Sequence, residues 1–175
     1  MCIRDSAESE KDRAENIMIV DLVRNDLGRV CAFGTVEVPK LQVIESFAFT
    51  HQMVSTIRGR LRPGLDEIDL FRAAFPPGSM TGAPKIEAMK IIAALEPVKR
   101  GIFSGSIGYI GDDGRLDLNI VIRTLIRAGR ELFFHTGGAI VADSDPEEEY
   151  RETLDKAAGL VAAIQLEAGT NEDVA

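Results

Sequence analysis

Strand signals separated by turns too short for a crossover constrain this chain most. Residues 102–110 and 115–126 carry strand-like patterning, and Asp112-Asp113-Gly114 lies at the turn between them. Asp-Gly in such a gap is a hairpin signal, whereas a parallel pair needs a connection of about a dozen residues or more. A third strand is predicted over about 131–135, after the turn near Gly129, and a fourth over about 139–142, giving an antiparallel meander. Upstream, Val30 to Val38 and Val43 to Phe49 are also strand-like, with Pro39 as the break. Helical patterning surrounds these strands. Ile17, Val20, Val23 and Leu27 recur at helical spacing and stop at Gly28, which predicts a helix over about 12–27. Residues 66–75 (DEIDLFRAAF) predict a short helix, broken by Pro76, Pro77 and Gly78. Pro84 suits a first helical turn, Ile86, Met89, Ile92 and Leu95 make one apolar face, and Pro97 ends it. The last helix opens at Asp145 (N-cap), Pro146 and Glu148, a capping-box pattern, with Tyr150, Leu154, Ala157, Val161 and Ile164 as its expected buried stripe. Helices and antiparallel strands in one compact unit make an α+β pattern.

Composition narrows the function classes. The chain has 175 residues, 45% of them hydrophobic, enough for one core. The net charge is −8, and its placement is uneven. Ten of the 28 acids follow Ala142, against Arg151 and Lys156 alone, so the first 142 residues are neutral. The acidity belongs to one C-terminal segment, and no clustered basic footprint exists for nucleic acid. No run reaches the roughly 18 apolar residues of a membrane span, and MCIRDSAESEKD has no secretory core. Two cysteines make no disulfide framework, which leaves a cytoplasmic setting as the default expectation. With only His51 and His135, and no CxxC or HExxH, a zinc site is not expected.

Three arrangements carry candidate chemistry. Asp12 and Glu15 are three apart and share a helix face, and Glu149 and Glu152 repeat that spacing on the last helix. If the two helices face each other, four carboxylates converge, a costly cluster unless a cation neutralises it, and oxygen-only ligands suit Mg²⁺. The alternative is that first-turn acids simply favour the helix dipole. Thr136-Gly137-Gly138 offers backbone N–H groups for close approach to an anion, and Arg123, read as a strand residue beside Thr124, has the fork that clamps a carboxylate. An ordinary turn and a solvated arginine are the alternatives. In GSMTGAP, Thr81 offers a hydroxyl at a helix start that suits an anion; otherwise the segment is a plain helix start with Lys85 as a solvated first-turn residue. His51 is either a ligand contact or proton carrier, or structural.

The longest motifs are AENIMIVDLVRNDLGRV (14–30), THQMVSTIRGRL (50–61), FPPGSMTGAPKIEAMKIIAALEP (75–97), GSIGYIG (105–111), IVIRTL (120–125) and GGAIVADSDPEEEYRETLDKA (137–157). In that order and spacing they resemble the chorismate-binding enzyme family, over about 12–165. KDRAEN (11–16), MVST (53–56) and Tyr150 fit its folate-branch members better than its tryptophan-branch members. The resemblance implies part of a two-sheet antiparallel sandwich with outer helices. It also implies chorismate as substrate, Mg²⁺ as cofactor and a glutamine amidotransferase subunit as partner. By matching position, Glu15 and Glu152 resemble the direct Mg²⁺ ligands, and Asp12 and Glu149 the supporting acids. Arg123 and the Gly137-Gly138 backbone would hold the enolpyruvyl side chain and its carboxylate, and Thr81 and His51 would line the ring pocket. Ala139 stands where the family often has a third glycine, and Phe103 where it often has Tyr or Trp. The family's upstream Ser-Pro-Glu and Pro-Ile-Lys-Gly-Thr motifs do not occur. The expectation is therefore the C-terminal part of a catalytic domain over 12–166, inactive alone. Residues 1–11 would lie outside the family pattern and 167–175 would form a flexible tail. A non-catalytic chorismate-binding remnant is the alternative.

Overall fold

The computed structural model describes residues 10–46, 51–142 and 144–170. It divides into two compact units, residues 1–92 with 111–115, and residues 93–110 with 116–175. Helices and small antiparallel sheets make the fold α+β, as the patterning predicts.

In the first unit, α1 spans Glu10–Gly28 and β1 (Glu37–Ser46) pairs antiparallel with β2 (His51–Arg58). The helix ends one residue beyond the expected stop. The strands correct the prediction: β1 begins at Glu37 and runs through Pro39 instead of breaking there. Pro39 is tolerated because the register shifts between Glu37 and Lys40, where the ladder needs no donor from it. Residues 30–36 are not a strand, because their backbone groups are used otherwise. The Cys31 segment bridges Leu61, Ala32 N–H donates to the Arg60 carbonyl at 2.7 Å, and Thr35 N–H turns back to Ala32 at Gly34, whose φ is +75°. Residues 47–49 of the expected second strand, residues 1–9 and the tail from 171 lie outside the described residues.

A second register shift falls between Lys40 and Val43, at Gln42, and ties the hairpin to α1. Gln42 N–H donates to Ser55 Oγ at 2.9 Å, Ser55 Oγ donates to Asn16 Oδ1 at 2.6 Å, and Gln42 Nε2 donates to the Arg13 carbonyl at 2.8 Å. The core of this unit is Val30, Cys31 and Ala73, with Leu27, Val36, Leu61, Leu65 and Leu70 packed around it.

Helix α2 (Glu67–Ala74) starts on a reciprocal capping box between Asp66 and Asp69, which fixes its first turn. The short α3 (Gly78–Thr81) passes close to α1: a Cβ on Gly78 would lie 3.0 Å from Leu22. Helix α4 covers Lys85–Leu95, directly after Pro84. Lys85 is not solvated. Its ammonium lies 2.7 Å from the buried Asp26 carboxylate and 3.4 Å from the Ala74 carbonyl, which joins the end of α1 to the start of α4. A carboxylate near a helix C-terminus and a cation near an N-terminus each oppose the local dipole, so the two charges favour these places only as a pair.

In the second unit, β3 (Gly108–Ile110) pairs with β4 (Leu116–Leu118), the hairpin that Asp112-Asp113-Gly114 predicts. Its backbone bonding continues past the strands, through Val121 N–H to the Gly105 carbonyl at 2.9 Å and Ser104 N–H to the Val121 carbonyl at 3.0 Å. Val121 is almost wholly buried there. A second hairpin, β5 (Ile126–Ala128) with β6 (Glu131–Phe133), turns at Gly129. The single meander is thus replaced by separate two-stranded pairs. The expected strand over 139–142 is irregular, because a local turn uses its polar groups: Val141 N–H goes to Ser144 Oγ and the Val141 carbonyl accepts from Ser144 N–H, both at 3.1 Å.

Helix α5 (Pro146–Thr170) begins as expected, with Asp145 Oδ1 accepting from the N–H groups of Glu147 and Glu148 at 3.0 Å. Its expected buried stripe is partly open: Tyr150 is 59% exposed and Leu154 50%, whereas Ala157 and Ile164 are half-buried. The adjacent face is the one that packs, since Thr136 Oγ1 donates to the Thr153 carbonyl at 3.1 Å and Glu149 is buried. No described helix is long and apolar enough to cross a membrane.

Candidate functional site

The candidate residues fall in both units, and each set stands in its own surroundings. In the first unit, Asp12 and Glu15 lie half-buried in the early turns of α1. The Asn16–Ser55–Gln42 bonds therefore hold the helical segment that carries both acids. His51 opens β2, with Nδ1 3.0 Å from Ser46 Oγ on its cross-strand partner. Thr81 ends α3, its hydroxyl within 3.5 Å of the Pro77 carbonyl.

In the second unit, the Gly137-Gly138 segment and the first turn of α5 come together. Glu149 is only 5% exposed, and its Oε1 accepts from Ser144 Oγ at 2.5 Å. A Cβ built on Gly138 would lie 2.9 Å from Glu149 Oε2, so the bare Cα is what lets the backbone pass the carboxylate. Glu152, one turn on, is about half-exposed and is paired with Lys156, whose ammonium also reaches the Gly137 carbonyl at 3.3 Å. Thr153 Oγ1 donates to the Glu149 backbone carbonyl at 3.0 Å. Ala139 is exposed beside this segment.

Arg123 corrects its prediction. It is not in a strand but in an exposed bend with φ +49°, where Ile122 N–H turns back to the Ile120 carbonyl at 3.0 Å. A non-glycine residue in the left-handed region is uncommon and directs the side chain differently from a strand position.

A further cluster in this unit surrounds Arg100. Its guanidinium binds both Glu96 oxygens (2.9 and 3.1 Å from Nε), donates to Ser104 Oγ at 3.1 Å and lies 5.9 Å from the Phe103 ring centre, and Phe103 stacks on His135 at 5.3 Å. The hydrogen bond from Arg100 holds the Glu96 carboxyl below its ordinary value of 4.5, outweighing a smaller upward push from burial. A carboxylate of lowered pKa stabilises the fold above its unfolded value, and that stabilisation is lost as pH falls through the folded value. Carboxyl carbon NMR titration is expected to place the Glu96 midpoint below 4.5, and Arg100→Met to return it to the ordinary range; equal midpoints in the two proteins would contradict this cause.

Whether these acids suit Mg²⁺ is answered by donor chemistry. Within either unit the described His, Cys, Asp and Glu side chains form no group of three of the kind that holds a metal. Each helix instead presents two carboxylates one turn apart, and Gly138 lies beside the second pair, where an added Cβ would come 2.9 Å from Glu149 Oε2. Mg²⁺ takes one or two protein carboxylates, keeps several waters and completes its shell from a substrate anion, so pairs of this kind fit it. Charge compensation at Glu152 is now supplied by Lys156. Ser144 and Lys156 were not legible as site residues. A serine just before Asp145-Pro146 is the only signal Ser144 gives in the sequence, and Lys156 reads as an ordinary i,i+4 partner.

Comparison with known proteins bears on the same segments. A profile described as chorismate binding enzyme matches residues 6–162. Aminodeoxychorismate synthase component 1 of Salmonella typhimurium is 55% identical over 150 residues, 86% of this chain and 33% of its own length. Anthranilate synthase component 1 of Streptomyces coelicolor is 48% identical over 162 residues, 93% of this chain and 32% of its own. The crystal structure of anthranilate synthase component I from Streptococcus pneumoniae superposes with a TM-score of 0.81 at 42% identity, covering 88% of this chain and 35% of that one. The chain thus spans about a third of the length of these relatives.

Proposed function

The chain belongs to the chorismate binding enzyme family, and on that premise we propose that it supplies the metal- and anion-binding side of an aminodeoxychorismate synthase. Such an enzyme converts chorismate and ammonia to 4-amino-4-deoxychorismate and water, on the route to para-aminobenzoate and folate. A glutaminase subunit would deliver the ammonia, and the setting would be cytoplasmic. One observation carries the choice of branch: relatives of that name are 52–56% identical, against 45–48% for anthranilate synthases. Asn16, tied to Ser55 across α1 and β2, is among the positions that fit the folate branch.

In this proposal Glu15 and Glu152 hold Mg²⁺, with Asp12 and Glu149 in support. When bound, the metal would position the ring carboxylate and offset charge as the C4 hydroxyl departs. The chain's own groups bind the remainder of the substrate. Arg123 and the Gly137-Gly138 backbone hold the enolpyruvyl carboxylate, Thr81 and His51 line the ring, and Ala139 borders the glycine segment. The chain would be inactive by itself, since the family's upstream lysine and glutamate motifs do not occur in it. A non-catalytic chorismate-binding remnant is the second reading. Calorimetry of the chain with chorismate is expected to give binding heat only when Mg²⁺ is present. Equal binding after chelation would refute the metal role, and no binding in either state would refute the remnant.

A further inference from the structure

Ser144 sits where two requirements meet. Its Oγ accepts the Val141 N–H at 3.1 Å, which commits a lone pair and leaves its own proton to donate. That proton goes to Glu149 Oε1, at 2.5 Å. The backbone of Ser144 is tied as well, its N–H donating to the Val141 carbonyl at 3.1 Å. Across the carboxylate, Gly138 brings bare backbone so near that a Cβ would lie 2.9 Å from Oε2. Asp145, next in sequence, caps α5 and orients the first turn on which Glu149 lies. Glu149 is therefore held at Oε1 by a directed hydrogen bond, and it is buried, where the orientation of a charged group is costly to change.

The geometry points to Ser144 as a positioning residue for the Mg²⁺ site, fixing the Glu149 carboxylate through a directed hydrogen bond. The inference rests on the proposed Mg²⁺ role of Glu149 and Glu152. A hydroxyl that donates to one carboxylate oxygen orients the acid as acceptor through the other, and partners of this kind around metal sites are worth about 10- to 100-fold in metal affinity when removed.

The test is Mg²⁺ titration of the full 175-residue chain by calorimetry, for the wild type, Ser144→Ala, Ser144→Thr and Glu152→Ala, with far-ultraviolet circular dichroism on each. The expected result is a loss of about tenfold in Mg²⁺ affinity for Ser144→Ala at unchanged helix content, with Ser144→Thr, which keeps the hydroxyl, close to wild type. Wild-type affinity in Ser144→Ala, where Glu152→Ala has lost it, would overturn the positioning role and leave the metal reading intact. Failure of Ser144→Thr to recover affinity while folded would overturn it as well, because the hydroxyl would not be the cause. A wild-type chain with no Mg²⁺ uptake, or one whose uptake Glu152→Ala leaves untouched, would overturn the metal reading and the inference with it.

Discussion

Glu152→Ala, introduced into a synthase of the relatives' full length, is expected to lower kcat/KM for chorismate by about a hundredfold or more at saturating Mg²⁺. The carboxylate lies on an accessible face of α5, where it is paired with Lys156. Truncation removes a charged ligand without opening a core, so the loss should appear in activity and metal affinity while the unfolding midpoint barely moves. Steady-state kinetics over a Mg²⁺ series, paired with urea unfolding, separates the two. Wild-type kcat/KM at every Mg²⁺ concentration would remove Glu152 from the ligand set.

The second large effect is on stability. In Gly108→Ala the added Cβ would fall 1.9 Å from the Asp117 carbonyl oxygen across the β3–β4 pair, far inside any tolerated contact. Backbone, unlike a side-chain tip, has no rotamer to escape into, so the hairpin must open. A cost of about 3 kcal/mol is expected, at the upper end for overpacking. Gly159→Ala is the opposite control: it lies within α5 with nothing within 4 Å of an added Cβ, and should stabilise by about 0.5–1 kcal/mol. Denaturant midpoints for the two variants should move in opposite directions, and amide exchange at Gly108–Ile110 should speed up only in the first. Similar midpoints would mean that the strands do not pack as closely as described.

Which parts of this architecture were legible in sequence follows from how local their causes are. The end of α1, the start of α5 and the Asp-Gly hairpin rest on bonds between residues at most a few positions apart, and Gly28, Asp145 and Gly114 signal them directly. The strand over 139–142 failed for a non-periodic reason, since Ser144, outside the pattern, takes the Val141 N–H. Pro39 read as a break because register shifts leave no trace in alternation. The stripe on α5 was read from spacing alone, which cannot tell which of two adjacent faces meets the Thr136–Ser144 segment.

The candidate site divides in the same way. Spacing of three placed each acid pair on one helix face; the glycines read as an approach to an anion, and the neighbour that Gly138 has on the chain itself, Glu149, gave no signal there. The partners that tune those acids, Ser144 and Lys156, are ordinary residues whose role depends on a loop returning to a helix. Lys85 was misread for a related reason. Its partner Asp26 is distant in sequence, and both charges look like surface residues until α1 and α4 meet.

The central claim, that this chain serves the amination of chorismate at C4, is tested most directly by product identity. A protein containing this chain at the relatives' full length is supplied with chorismate, Mg²⁺ and an ammonium salt, and the products are separated by liquid chromatography with mass detection. The account predicts 4-amino-4-deoxychorismate, formed only with Mg²⁺ present; release of anthranilate would contradict it.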